Sequence, residues 1–425
     1  MFLFSICILV QELCFSQWRR EDIYSEFALY NKRERLSKDL RENVVFKTFS
    51  QPLDSNNEHK FESACKAISQ FLITGEEIKN GFQKLFEQYE SLPYPTKRAF
   101  LEAVYAVYPT EYFDNMHKIV ATEHEPKLFA MSAVYLSRLD SSVNNLNDIK
   151  IRMVEAFPGY DSIDILSELE FYLNQYNTFR RRKTPSVSAL FAHQQTHGKK
   201  VIYSFQRWNR DYPGLAIVQN ADGSFMRNQS GRLLVFQQLA RSGSDLPYFL
   251  TNGSTPQGIY SIQGTAVARN NYIGPTPNIQ LLMPHEKDWS KFFHQPIDST
   301  HDSLQLYQNL LPPSWKNYSP MSEAWKAGKI GRTEIIAHGS TIDPEYFRDK
   351  PFYPLTPTMG CLCAKELWNV TSGRLLVSEQ FNLVSAYTST AGQKGFLYVV
   401  NLDDQQKAVT REEIEKMINV FEKRK

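Results

Sequence analysis

Apolar and polar positions alternate along this chain with two different periods. In the stretch from Phe61 to Leu72, residues Phe61, Ala64, Cys65, Ile68, Phe71 and Leu72 recur at the spacing of one helix face. The same spacing returns in Phe82 to Tyr89, Lys97 to Val107, Tyr112 to Ala121, Pro126 to Leu139 and Ile149 to Phe157. Pro93, Pro95, Pro109, Pro126 and Pro158 punctuate these segments. The pattern predicts short helices from Gln17 to about Tyr176, without a fixed repeat length. Beyond about His197 the apolar runs shorten and fill with Val, Ile, Tyr and Phe between Gly, Asn, Asp and Ser. Val201 to Phe205, Leu215 to Gln219, Arg232 to Gln237, Gly258 to Ile262, Thr333 to Ala337 and Gly395 to Leu402 read as strands. Asp222-Gly223, between Val218 and Phe225, signals a hairpin turn. Thr410, followed three residues later by Glu413, is a capping box that opens a last helix running to Phe421.

The pattern therefore predicts a multidomain α+β chain. An α-helical accessory domain occupies 17–185, a mainly β domain 186–404, and a carboxy-terminal helix 405–425. A length of 425 residues, 42% hydrophobic and 13% aromatic, supports packed cores in more than one domain. Lys and Arg number 48 against 46 Asp and Glu, a net charge of +2, which argues against nucleic acid as a partner. The run Arg180-Arg181-Arg182-Lys183, followed by Pro185 and serines, reads as a solvated linker.

The apolar segment from Met1 to Phe15 is too short to span a bilayer and suits the core of a secretory signal. Cys14 and Ser16 would stand at the minus-three and minus-one positions of a cut before Gln17. A signal peptide at 1–16 is expected, with export to the periplasm or cell envelope and no transmembrane helix in the mature chain. Cys65, Cys361 and Cys363 then remain, which is neither a disulfide framework nor a zinc set. His193 and His197 lack the glutamate of a metalloprotease helix and read as linker residues. No metal and no organic cofactor are expected.

Two short motifs carry chemistry. Ile335-Ile336-Ala337-His338-Gly339-Ser340 is a strand that ends in a histidine at a glycine turn. Thr358-Met359-Gly360-Cys361-Leu362-Cys363 sets a cysteine directly after a glycine. A thiol becomes a nucleophile when a nearby imidazole takes its proton. The amides of Gly360 and Cys361 could form an oxyanion hole, typically worth about 3 kcal/mol per donor.

The order His-Gly, about twenty residues, then Ser/Thr-x-Gly-Cys resembles the L,D-transpeptidase catalytic domain of the YkuD type. Upstream, Thr255-Pro256-Gln257-Gly258-Ile259-Tyr260-Ser261-Ile262 looks like that family's Thr-Pro-x-Gly strand, and Arg241-Ser242-Gly243 sits where it has a Ser-Thr-Gly-like turn. The resemblance spans roughly residues 200–402. It implies Cys361 as nucleophile, His338 as general base and the Gly339 carbonyl orienting the imidazole, with Thr358, Ser340 and Met359 meeting substrate. It implies attack on a peptidoglycan tetrapeptide stem, release of the terminal D-alanine and transfer to an amine of a neighbouring stem. A hydrolytic L,D-carboxypeptidase or peptidoglycan-protein amidase, and a non-catalytic cell-wall-binding module, are the alternatives.

Four departures from the family stand out. Thr358 replaces the commoner serine and Met359 a frequent histidine. Cys363 takes the place of the usual Arg or Asn. An aromatic-rich insert at 265–330, holding Tyr272, Trp289, Phe292, Phe293, Trp315, Tyr318 and Trp325, reads either as a substrate lid or as a local minicore. Because every motif lies after residue 240, the helical half is expected to be dispensable for acylation.

Overall fold

Prolines and capping side chains place the helices of the first half. In the computed structural model, which describes residues 19–175, 183–298, 300 and 302–423, they span Glu58–Phe71, Glu76–Glu87, Tyr94–Val107, Phe113–Thr122, Pro126–Leu139, Val143–Ala156 and Asp164–Gln175. The expected signal segment at 1–16 and residues 180–182 of the basic run lie outside the described residues. Proline at the first turn opens Tyr94–Val107 and Pro126–Leu139, where a missing N–H costs nothing. The Ser142 hydroxyl accepts from Asn145 N and caps Val143–Ala156. The stripe Phe61, Ala64, Cys65, Ile68 and Phe71 is buried, as its spacing requires.

Eight strands of the second half close into a barrel in the order β1-β10-β4-β5-β6-β7-β3-β2. They are β1 (Val201–Gln206), β2 (Gly214–Gln219), β3 (Phe236–Leu239), β4 (Gly258–Ala266), β5 (Asn278–Leu282), β6 (Ala337–His338), β7 (Leu362–Ala364) and β10 (Gly395–Asn401). A separate hairpin pairs β8 (Glu366–Trp368) with β9 (Leu375–Ser378). Only β1/β10 and β6/β7 are parallel. Every residue of β1, β2 and β10 is buried, because these strands are covered on both faces. Their outer face packs under Val187–His197 and the capped helix Arg411–Glu422, through Phe191, Tyr203, Phe205, Ile414 and Phe421. The structure is thus mixed α+β, helices first and a barrel after them. Among the described residues no helix is long and apolar enough to cross a membrane.

Several expectations shift. The third strand starts at Phe236 instead of Arg232. Of Thr333 to Ala337 only Ala337 is in a strand, since Glu334 at φ +62° breaks the extended backbone. His193 and His197 are not linker residues. They lie on the helix Val187–His197, their rings 4.3 Å apart, with His193 Nε2 at 3.0 Å from the Asn309 carbonyl. The segment 265–330 is not a single insert, because it contains β5, a wall strand between β4 and β6. Its Phe292, Trp315, Tyr318 and Trp325 are buried in the cluster that covers β1 and β10, so the aromatics form a minicore.

The change of texture near residue 185 does not divide the core. One apolar cluster runs from Phe71, Leu166 and Leu169 in the helices to Tyr248, Phe249 and Tyr260 beside and within the barrel. Polar contacts edge this seam: the Tyr248 hydroxyl donates to Glu168, Asn252 Nδ2 donates to Glu102 at 3.0 Å, and Lys326 pairs with Glu168 at 2.9 Å. The first described segment also straps the β8–β9 hairpin, with Ser25 N donating to Gly373 O at 2.9 Å and Tyr30 N to Val370 O at 2.8 Å.

Candidate active site

Parallel pairing of β6 with β7 brings the two chemical motifs together. Ala337 is in register with Leu362 and His338 with Cys363, so His338 ends β6 while Cys361 comes two residues before its partner on the neighbouring segment. Cys361 stands just before β7 and is partly exposed. Its Sγ lies 3.5 Å from the Ile336 amide, which donates to it, and 3.5 Å from the Glu334 carbonyl, to which the thiol donates. The structure holds no His338–Cys361 hydrogen bond.

The turn that presents the cysteine is built tightly. Gly360 adopts φ +115°, and a Cβ there would fall 2.4 Å from Arg332 Nη2, so glycine is required for both reasons. The Thr358 hydroxyl donates to Cys361 O at 2.8 Å and accepts from Gly360 N at 3.0 Å. The Gly360 amide is thereby engaged, whereas the Cys361 amide has no hydrogen-bond partner among the described residues. Both upstream motifs touch this turn. Gly243 N donates to Thr358 O at 2.8 Å, and the Thr255 hydroxyl donates to Gly360 O at 2.9 Å.

On the histidine side, Nδ1 of His338 lies 2.5 Å from the Gly339 carbonyl. A carbonyl only accepts, so Nδ1 carries the proton and the neutral ring leaves its lone pair on Nε2. Three buried side chains hold this turn, and sequence reasoning passed over all of them. Glu366 accepts from Ser340 N at 3.0 Å and would crowd any Cβ at Gly339. Trp368 Nε1 donates to Ser340 O at 2.9 Å. Gln380 Nε2 donates to Ala337 O at 2.9 Å from the helix Glu379–Thr388. No residue-type motif marks them, because their role comes from the β8–β9 hairpin and the helix after it folding back.

Burial sets the protonation states. It pushes the Cys361 thiol up to about 11, opposed by the Ile336 amide and the Arg332 cation, and pushes His338 down to about 4. Thiol and imidazole are therefore both neutral at rest. Arg332, too, belongs to no motif that would mark it. It is buried, it donates to the carbonyls of Tyr248, Gly253 (2.9 Å) and Ser254 (3.2 Å), and it faces Gly360. It supplies a cation beside the thiol from a position far from Cys363. Cys363 itself is a buried free thiol 3.4 Å from the Thr356 hydroxyl.

A cavity of about 220 Å³ is lined by Asn252, Arg332, Glu334 and Met359 and by Lys127 of the helical half. Cys361 does not line it, but Glu334, whose carbonyl accepts from the thiol, does. Met359 is 58% exposed there. Ser340, by contrast, is buried, its hydroxyl donating to Tyr272 O at 3.1 Å. Thr358 and Ser340 thus spend their hydroxyls on backbone, and Met359 alone of the three faces the cavity. No group of three or more His, Cys, Asp or Glu suited to a metal occurs among the described residues. The chain matches no family model, no curated protein and no solved structure.

Proposed function

We propose that this chain is a cysteine acyltransferase of the L,D-transpeptidase type, exported to the cell envelope and acting on peptidoglycan stem peptides. The observation that carries the reading is the Cys361 amide: it is unpartnered, it adjoins a partly exposed thiol, and the next strand carries an imidazole with a free Nε2.

The chemistry follows from those atoms. As Sγ of Cys361 attacks the acyl carbonyl, Nε2 of His338 takes the thiol proton and the Cys361 amide receives the developing oxyanion. The tetrahedral species collapses to a thioester. The imidazolium returns its proton to the departing amine, the terminal D-alanine of the stem. An acceptor amine then attacks the thioester, gives its proton to His338, and the thiol leaves with that proton. Water in place of the amine would make the product a trimmed stem. The thiol now points to the Glu334 carbonyl and must turn toward His338 when substrate enters, as apo geometry commonly requires.

Incubation of the full chain with a carbapenem, followed by intact-mass measurement, tests the reading. A covalent adduct mapped to Cys361 is expected, absent in Cys361→Ala. If Cys361 stays unmodified while the protein still binds cell walls, the non-catalytic alternative replaces this one.

A further inference from the structure

A second cavity, of about 550 Å³, lies in the seam between the helices and the barrel, and Cys361 does not line it. Tyr105 and Arg138 reach it from the helices; Arg210, Asp245, Glu323 and Asn401 reach it from the barrel side. Its volume is within the range of ordinary small-molecule sites.

In its wall Arg210 and Asn401 each carry a buried polar atom without a hydrogen-bond partner among the described residues. Arg210 is 8% exposed; its Nη2 donates to Thr255 O at 3.1 Å, but Nη1 donates to nothing. Asn401 is 2% exposed; its backbone amide is bonded to Gln257 Oε1 at 2.9 Å, but its side-chain oxygen has no partner. Leaving a guanidinium N–H buried and unpaired is costly, and such atoms normally mark a ligand or an ordered solvent site. Burial, in keeping with this, holds Arg210 down to about 10 despite the nearby Glu323 and Asp245.

The charges around it are of both signs. Asp211 is already paired with Arg241 at 2.5 Å, while the carboxyls of Asp245 and Glu323 lie near Arg210. Asp245 accepts from the Ser254 hydroxyl at 3.0 Å; Glu323 accepts from Gln257 N at 2.9 Å and is raised by burial to about 7. A phosphate-like dianion would meet these carboxyls at close range. A molecule that carries a carboxylate and an ammonium group satisfies both halves of the wall.

We infer that the seam cavity binds an amino acid or short peptide with free carboxylate and ammonium groups, its carboxylate on Nη1 of Arg210. Asp245 and Glu323 face the ammonium group, and the Asn401 oxygen accepts an N–H. This site rests on its own residues, not on the reactivity of Cys361.

Isothermal titration of the full chain with alanyl-alanine, its N-acetyl derivative and its carboxamide tests the inference. The free dipeptide is expected to bind saturably. The carboxamide should bind about tenfold or more weakly, since a hydrogen bond to a charged group is lost. The N-acetyl form should fall between them. Arg210→Met should abolish binding. In case that variant does not fold, Ser141→Trp, at the exposed rim, fills the cavity without removing a buried charge and should do the same with an unchanged circular dichroism spectrum. Cys361→Ala should bind as the parent does. Equal binding of acid and carboxamide, absence of saturation by about 10 mM, full binding in Ser141→Trp, or lost binding in Cys361→Ala would each overturn it. A carbapenem adduct that fails to form would sink the thiol reading and leave this one standing.

Discussion

The Cys361 thiol is neutral in the free chain, and that has a measurable sign. With its pKa raised to about 11, only about one thiol in ten thousand is ionised at pH 7, and the fraction grows about tenfold per pH unit. Alkylation of Cys361 by iodoacetamide should therefore climb steeply from pH 7 to 9. A rate that is flat over that range would mean a preformed thiolate–imidazolium pair, contrary to a His338 held down to about 4. In the acyl-transfer reaction itself, His338→Ala should lower the carbapenem adduct rate by about a hundredfold or more, the usual worth of a general base. Arg332 and Gly360 act on the same thiol indirectly. Arg332→Met removes the buried cation and leaves the Tyr248, Gly253 and Ser254 carbonyls unpaired. Its alkylation profile should move to higher pH and its melting temperature should drop; a lower melting temperature with an unmoved profile would reduce Arg332 to a structural role. Gly360→Ala combines φ +115° with a collision at Arg332 and should cost roughly 1–3 kcal/mol, readable in urea unfolding.

At the scale of elements, the helical half and the barrel depend on each other. Phe71 meets Tyr272 and Tyr346 with ring centroids 5.9 and 4.9 Å apart, and Tyr172 meets Phe249 at 5.5 Å. Lys127 also lines the cavity of about 220 Å³ that Arg332, Glu334 and Met359 share. A fragment starting at Ser186 should thus fail to give a folded, monomeric protein, against the expectation drawn from motif positions alone. Co-expression of 17–185 with 186–425 should restore a soluble complex that co-purifies. A soluble 186–425 fragment with native near-ultraviolet dichroism would disprove the shared core. How much of this was legible is clear from particular residues. The stripe from Phe61 to Phe71 announced a buried helix face, and Thr410 with Glu413 announced a cap. Nothing in the sequence announced that β5 would close the wall between β4 and β6, since a five-residue strand with mixed neighbours gains its identity only from its partners.

Over the whole molecule, buried carboxyls set a pH dependence. Burial raises Glu366 to about 8 and both Glu102 and Glu323 to about 7, from an ordinary 4.5. A raised folded-state value favours the protonated acid in the native state. The stability that depends on it is complete below pH 4.5 and is lost as pH rises through 7 to 8. Each group contributes a slope of at most about 1.4 kcal/mol per pH unit across its window. The melting temperature should fall from pH 5 to 8, and Glu366→Gln, which keeps the shape beside Gly339 without the titration, should flatten part of that fall. An unchanged slope in Glu366→Gln would show that Glu366 ionises freely.

By itself the sequence determined what is local. Helix faces, prolines at first turns, the Asp222-Gly223 turn and the two glycines beside His338 and Cys361 follow from periods, φ preferences and hydrogen bonds spanning a few residues. The pairing of a strand-end histidine with a glycine-borne cysteine was only suggested by the motifs; the β6–β7 register sets His338 opposite Cys363, two residues after Cys361. Tertiary structure alone decided what is held from a distance. Arg332 meets Gly360, Glu366 meets Gly339 and Arg210 meets a cavity walled in part by helices of the first half of the chain. Those contacts depend on which surfaces the shared apolar core brings together. Burial then sets the charge state of each group, because the cost of desolvating an ion depends on every atom packed around it and not on the residues beside it in sequence.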